Sequence, residues 1–254
     1  MQPSPIAAFA DNYIWTLDDP AGDWLLVDPG DAAPVLAAAG DRRPPAAILL
    51  THHHDDHVGG VSALLERWPG VPVYGPDDPR IGCTTRGVGD GDQVEAGPWR
   101  LEVLAVPGHT RSHIAFHGHG LLFCGDTLFS LGCGRLFEGA PGEMLASLDR
   151  LAALPAPTLV CCGHEYTLAN AAFARVADPD NAALRRRHEQ AIAMRARGRP
   201  TLPTTLGDEL DCNPFLRIDA PAVRAAVAAR SPAAADDRVE AFAELRRWKD
   251  GFGA

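Results

Sequence analysis

The sequence predicts a layered α/β domain followed by an α-helical C-terminal region. Two observations carry the prediction. Up to about Tyr166, short apolar runs alternate with turns, and most of the runs end at polar residues. Beyond Tyr166 the chain becomes Ala- and Arg-rich, with apolar residues at helical spacing. In order, "WLLVDPG" (24–30), "AAILLTHHH" (46–54), "VPVYGP" (71–76), "LEVLAVPGHT" (101–110), "SHIAFHGHGLLFCGD" (112–126) and "TLVCCGHEY" (158–166) read as strands. "GGVSALLERW" (59–68), with Val61, Leu64 and Leu65 on one face, and "GEMLASLDRLAAL" (142–154) read as helices between them. Strands interleaved with helices make a layered α/β domain. Residues 168–198 and 221–252 read as helices broken at Pro and Asp-Asp. The change of texture divides the chain into residues 1–168 and 169–254.

Composition excludes several classes. The 254 residues carry a formal net charge of −10. The first 170 residues hold 9 basic and 21 acidic side chains, and the remainder 14 and 12, so acidity is concentrated in the α/β part. That balance disfavours nonspecific nucleic-acid binding. No apolar run reaches the ~18 residues of a membrane span. "MQPSPIAAFADNYIW" lacks a basic region followed by an apolar stretch, so no signal peptide is expected. A soluble, cytoplasmic protein with no membrane partner is expected. None of the six cysteines forms a C-x-x-C pair, and reduced core thiols are expected. Lys249 is the single lysine beside 22 arginines.

Chemistry concentrates in "THHHDDHVGG" (51–60). If the chain leaves the sheet extended, side chains alternate, so His52 and His54 point together and His53 points away. Asp56 and His57 follow as the chain turns toward a helix, placed for a neighbouring cation. Three further runs end on Gly and a ligand-type residue: His109 in "VPGHT", Asp126 in "FCGDT" and His164 in "CCGHEY". Imidazole with carboxylate suits zinc, iron or manganese rather than calcium or a copper-thiolate site. A single all-His zinc site would not need two aspartates; a pair of metals bridged by a carboxylate would. Asp28 in "VDPG" is a candidate to orient a ligand from outside the cluster.

H-x-H-x-D-H at His52–His57, followed by His109, Asp126 and His164, resembles the metallo-β-lactamase superfamily. Within it, "NYIW" (12–15), "VDPG", "PGHT", "GDTLFSLGCGRLFEG" (125–139), "CGHEY", "CNPFLR" (212–217) and "RRWKD" (246–250) are similar to the glyoxalase II (hydroxyacylglutathione hydrolase) family. The resemblance implies an αββα sandwich with a C-terminal helical domain. It implies two divalent cations, zinc by default, with iron or manganese compatible. His52, His54 and His109 would hold one, Asp56, His57 and His164 the other, and Asp126 would bridge them. Asp56 would also orient a bridging hydroxide that attacks the thioester of S-(2-hydroxyacyl)glutathione, with S-D-lactoylglutathione giving glutathione and D-lactate in methylglyoxal detoxification. A monomer is expected.

The resemblance also implies a glutathione site. Arg246 and Lys249, three apart on a helix, would hold the glycine carboxylate, beside an apolar stripe of Val239, Phe242, Leu245 and Trp248. Tyr166 would donate a hydrogen bond to the peptide part. Arg135 and Phe137 stand where the family often has lysine and tyrosine; Phe137 lacks the hydroxyl, so weaker glutathione binding is expected. Asp55 stands where an aromatic is common. Two other readings share the fold: a one-iron dioxygenase of glutathione persulfide and another hydrolase of the superfamily. The helical tail with its Arg/Lys pair favours the thioester hydrolase.

Overall fold

The structure is a computed structural model and describes residues 2–253. Its first sheet contains β1 (Pro3–Ala8), β2 (Asn12–Asp18), β3 (Trp24–Val27), β4 (Ala47–Leu49), β5 (Val73–Gly75) and β6 (Arg86–Gly87), in that spatial order. The pairs β1–β2 and β2–β3 are antiparallel, whereas β3 to β6 run parallel. Parallel neighbours need crossovers. Helix α1 (Ala32–Ala39) supplies the first, and α2 (Asp55–Val58) with α3 (Val61–Arg67) the second.

Every residue of β3 is buried. Trp24 and Leu26 join Ile48 and Leu50 in a cluster with Val35 and Ala39 of α1 and Val61 and Leu64 of α3. Leu25, Val27 and Leu49 alternate to the opposite face and are equally buried, so both faces of the sheet are covered. The β1–β2 hairpin was not anticipated from the sequence. Pro3 and Pro5 obscure β1, yet it is an edge strand, where proline is tolerated.

The second sheet carries β7 (Gln93–Ala96), β8 (Trp99–Ala105), β9 (Ile114–Gly118) and β10 (Leu121–Gly125). After the short hairpin β11 (Leu128–Phe129) and β12 (Gly132–Cys133), β13 (Leu159–Cys162) joins beside β10, giving the order β13-β10-β9-β8-β7. The single run expected over 112–126 is two strands. It turns at His119 and Gly120, both with positive φ (53° and 74°).

The chain divides into two compact units. The first comprises residues up to Ala105, Ser112–Gly125 and Val160–His164. The second comprises Val106–Arg111, Asp126–Leu159 and the residues from Glu165 onward. It holds the β11–β12 hairpin and helices α4 (Pro141–Ala152), α5 (Thr167–Ala177), α6 (Ala182–Arg195), α7 (Leu206–Cys212), α8 (Pro221–Arg230) and α9 (Arg238–Asp250). Its aromatic core pairs Phe173 with Trp248 at 5.2 Å and Phe215 with Phe242 at 5.9 Å between ring centroids. On α9, Phe242 and Leu245 are buried as the apolar stripe requires, but Val239 in its first turn is exposed.

Among the described residues no helix is long and apolar enough to cross a membrane. All six cysteines are free thiols and five are buried. Burial pushes the Cys133 thiol up to about 11, which keeps it protonated and unreactive at neutral pH.

Leu26→Ala should lower the unfolding free energy by ~3 kcal/mol in a denaturant titration, because it opens a cavity in a filled core. Val239→Ala, at an exposed position, should change it by less than ~0.5 kcal/mol.

Candidate metal centre

The His52–His57 segment leaves β4 extended and then closes into the single turn of α2, whose N-cap is His54 with φ −63° and ψ 142°. Alternation holds. The rings of His52 and His54 lie 4.7 Å apart, with His52 Nε2 3.1 Å from His54 Nδ1. His53 turns to Asp78, its Nδ1 3.6 Å from that carboxylate. Asp78 is buried and accepts from Arg80 and Ser112, and the Arg80 guanidinium holds its carboxyl well below the usual range. Asp55 is exposed.

Asp28 ties the segment at both ends. Its carboxylate accepts from Thr51 N (2.8 Å) and Thr51 Oγ1 (2.7 Å), and lies 3.1 Å from His57 Nδ1. That contact leaves His57 Nε2 directed elsewhere, 3.8 Å from Asp56 Oδ2. His164, which follows β13, has the same arrangement. Its Nδ1 lies 2.8 Å from Asp11 Oδ1, and its Nε2 is 3.5 Å from Asp56 Oδ2. Asn12 Nδ2 donates to Asp56 Oδ2 at 2.9 Å and holds the carboxylate between the two rings. The donor atoms of Asp56, His57 and His164 therefore all lie within 4.8 Å of one another.

In the second unit, His109 Nδ1 is 2.9 Å from the Arg135 carbonyl, so this nitrogen carries the proton. Its Nε2 then presents a lone pair, 3.4 Å from Asp126 Oδ2. Gly134 permits this approach: a Cβ there would sit 1.9 Å from the Asp126 carbonyl oxygen and 3.2 Å from His109 Nδ1. Gly125, before Asp126, has φ +46°, and a Cβ on it would lie 2.3 Å from Thr51 Oγ1. Gly163, before His164, is not in the positive-φ region.

The donor set fits divalent cations of the zinc type. Donors ~2.0–2.1 Å from a tetrahedral zinc stand roughly 3.3 Å from one another. The separations of 3.1 Å for His52–His54, 3.5 and 3.8 Å around Asp56 and 3.4 Å for His109–Asp126 bracket that edge. Binding the far nitrogen of His57, His109 and His164 to an oxygen is also how metal-ligating histidines are usually oriented.

The residues expected to bind substrate lie in the second unit. Arg246 is buried. Its Nη1 donates to the Cys133 carbonyl (2.8 Å) and its Nη2 to Asp250 (2.9 Å). Arg135 is exposed, its Nε 3.5 Å from the same Asp250 carboxylate. Lys249 is half-buried, with Nζ 3.5 Å from the Ala169 carbonyl. Burial, then the positive charge of Arg246 and Arg135, lowers its pKa. Three cations thus neighbour one carboxylate. Phe137 is 63% exposed with its ring 5.2 Å from that of His109, and half-buried Tyr166 packs on Phe129.

Asp11, Asn12, Thr51 and Asp250 were not singled out from the sequence. Asp250 had a local signal, the i,i+4 spacing from Arg246. Asp11 had none, its partner being 153 positions away, and Asn12 was marked only by its place in the "NYIW" motif, its partner being 44 positions away.

Residues 12–164 match the family profile described as the metallo-beta-lactamase superfamily, and residues 165–252 that of the hydroxyacylglutathione hydrolase C-terminus. A hydroxyacylglutathione hydrolase of Xylella fastidiosa (strain M23) is 57% identical over 252 residues, covering 99% of this chain and 98% of its own. One of Stenotrophomonas maltophilia (strain R551-3) is 57% identical over 254 residues, 100% of both. Among solved structures, ETHE1 from Myxococcus xanthus aligns with a TM-score of 0.66 at 23% identity, covering 100% of this chain and 92% of that one, and so shares the fold. TTHA1623 in a di-iron-bound form aligns with a TM-score of 0.59 at 29% identity, covering 85% and 100%.

Asp28→Ala should weaken divalent-cation binding by about 10–100-fold in a chelator competition, because His57 loses its orienting acceptor. Asp55→Ala should leave it unchanged.

Proposed function

The chain belongs to the hydroxyacylglutathione hydrolase family of the metallo-β-lactamase superfamily, and on that premise we propose that it hydrolyses S-(2-hydroxyacyl)glutathione, S-D-lactoylglutathione in particular, to glutathione and a 2-hydroxy acid. The fold is the metallo-β-lactamase α/β sandwich with a C-terminal helical domain. One observation carries the reading: imidazole nitrogens and a carboxylate converge in a chain that also gathers three cations around Asp250. The first feature suits cations that activate water; the second suits a substrate bearing a carboxylate.

His52, His54 and His109 are assigned to one divalent cation and Asp56, His57 and His164 to a second, with Asp126 shared. Zinc is the preferred ion, and iron or manganese takes the same donors. Such a pair supplies a hydroxide nucleophile at neutral pH and polarises the thioester carbonyl. The chain's own residues do the positioning. Asp28 and Asp11 turn His57 and His164, the Arg135 carbonyl turns His109, and Asn12 steadies Asp56. Asp56 is also the acceptor that orients the attacking oxygen. No serine or cysteine nucleophile is required, consistent with thiols that burial keeps protonated.

Lys249 and Arg246 are assigned to the glycine carboxylate of glutathione, with Arg135 adding positive charge. Tyr166 offers its hydroxyl to the peptide. Phe137 offers an apolar face in place of a hydrogen bond, which weakens glutathione binding without changing the reaction. Residues 1–168 are assigned to the dimetal domain, which also supplies Arg135, Phe137 and Tyr166 to the substrate, and 169–254 to the helical substrate-binding domain, in a cytoplasmic monomer. The match over residues 165–252 favours this reading over a persulfide dioxygenase.

The purified, divalent-metal-loaded protein should abolish the thioester absorbance of S-D-lactoylglutathione; no hydrolysis would refute the reading. Lys249→Ala should raise KM about tenfold or more with kcat within about twofold, the signature of lost ground-state binding. Because the Lys249 pKa lies below its ordinary 10.5, the ammonium is lost as pH rises through that lowered value, so kcat/KM should fall on the alkaline side. Lys249→Arg should remove that fall.

A further inference from the structure

The β11–β12 hairpin carries none of the assigned ligands, yet side chains of the C-terminal region hold its backbone at almost every residue. Asn213 Nδ2 donates to the carbonyls of Phe129 (3.1 Å) and Gly132 (2.9 Å). Asn170 Nδ2 donates to the carbonyl of Ser130 (3.1 Å). Glu209 accepts from Leu131 N at 2.7 Å and from the Ser130 hydroxyl at 2.8 Å. Arg246 Nη1 donates to the carbonyl of Cys133 (2.8 Å). Glu209 and Asn213 are both fully buried.

The hairpin is held in a conformation it would not adopt freely. Leu131 has φ +61°, a region sparsely populated for bulky residues, and its amide is the one Glu209 accepts from. Gly132 packs so closely that an added Cβ would lie 2.5 Å from Asn170 Nδ2. Burial of the Glu209 carboxyl disfavours its charge, and the contacts from Leu131, Ser130 and Arg187 oppose that effect. A buried carboxylate kept in this setting fixes geometry better than it adds stability.

Both ends of the hairpin lead to assigned residues. β11 begins two residues after Asp126. After β12 comes Gly134, pressed against the Asp126 carbonyl, and then Arg135, whose carbonyl orients His109. The Cys133 carbonyl also fixes the guanidinium of Arg246.

We infer that Glu209 is a positioning residue: with Asn213 it locks the Leu128–Cys133 hairpin in the conformation that sets Asp126 and His109 for a cation and Arg246 for the substrate carboxylate. The substrate half of this inference rests on the hydrolase reading; the cation half rests on the donor set alone.

The test uses the full chain with Glu209→Gln, which keeps the shape but replaces one acceptor oxygen with a donor. Cobalt(II) is the probe, read by its ligand-field absorption and by chelator competition, and KM is measured for S-D-lactoylglutathione. The expected result is an altered cobalt band, cobalt affinity reduced about tenfold, and a KM raised several-fold. A folded variant with the native band, native affinity and native KM overturns the inference, even if its Tm has dropped. Should Glu209→Gln not fold, Ser130→Ala decides, since it removes one of the same hydrogen bonds: smaller shifts in band and KM support the inference, and none overturns it. If the unaltered chain does not hydrolyse the thioester, the functional reading falls while the cobalt measurements still decide the cation half.

Discussion

The orientation of three imidazoles, those of His57, His109 and His164, by oxygen atoms behind them is the constraint on which the rest of the structure depends, and Asp28 acts at two points of the histidine-rich segment. Its carboxylate fixes the start of the ligand segment at Thr51 and the end at His57. To do so it adopts φ +53°, a conformation costing roughly 1–3 kcal/mol for a residue other than glycine. Hydrogen bonds to a charged acceptor contribute about 1.5–3 kcal/mol each, enough to offset that cost. With one nitrogen of each ring occupied, the tautomer and the direction of the other lone pair follow. Asp11 does this for His164 and the Arg135 carbonyl does it for His109.

Each unit contributes a different kind of rigidity. In the first, parallel strands buried on both faces deliver Asp28 and the His52–His57 segment from adjacent strand ends. In the second, a short two-stranded hairpin with buried Leu128, Phe129 and Leu131 is also held by buried polar side chains, and it continues into the Arg135 carbonyl behind His109. A polar lock of this kind specifies conformation as well as register, which an apolar contact does less sharply.

Much of this was legible in the sequence where the signal is periodic. Strand alternation separates His53 from His52 and His54, and His109, Asp126 and His164, the further residues proposed as ligands, each follow a glycine. The α/β character and the helical tail follow from the same patterns. What was not legible depends on pairing across long sequence distances. Nothing local marks Asp11 or Glu209, and only the "NYIW" motif marks Asn12; their partners lie elsewhere in the chain. The spacing of Arg246 and Lys249 on α9 was readable, but not that Arg246 would be buried under the Cys133 carbonyl and Asp250. The β1–β2 hairpin escaped notice because its prolines mask an edge strand.

The central proposal is that His52, His54 and His109 would hold one cation and Asp56, His57 and His164 a second, with Asp126 shared. Anomalous diffraction from zinc-loaded crystals tests it most directly. The account predicts two peaks per chain, each ~2.0–2.2 Å from its assigned donors and both in contact with the Asp126 carboxylate. A single peak, or two peaks of which Asp126 touches neither, would contradict it.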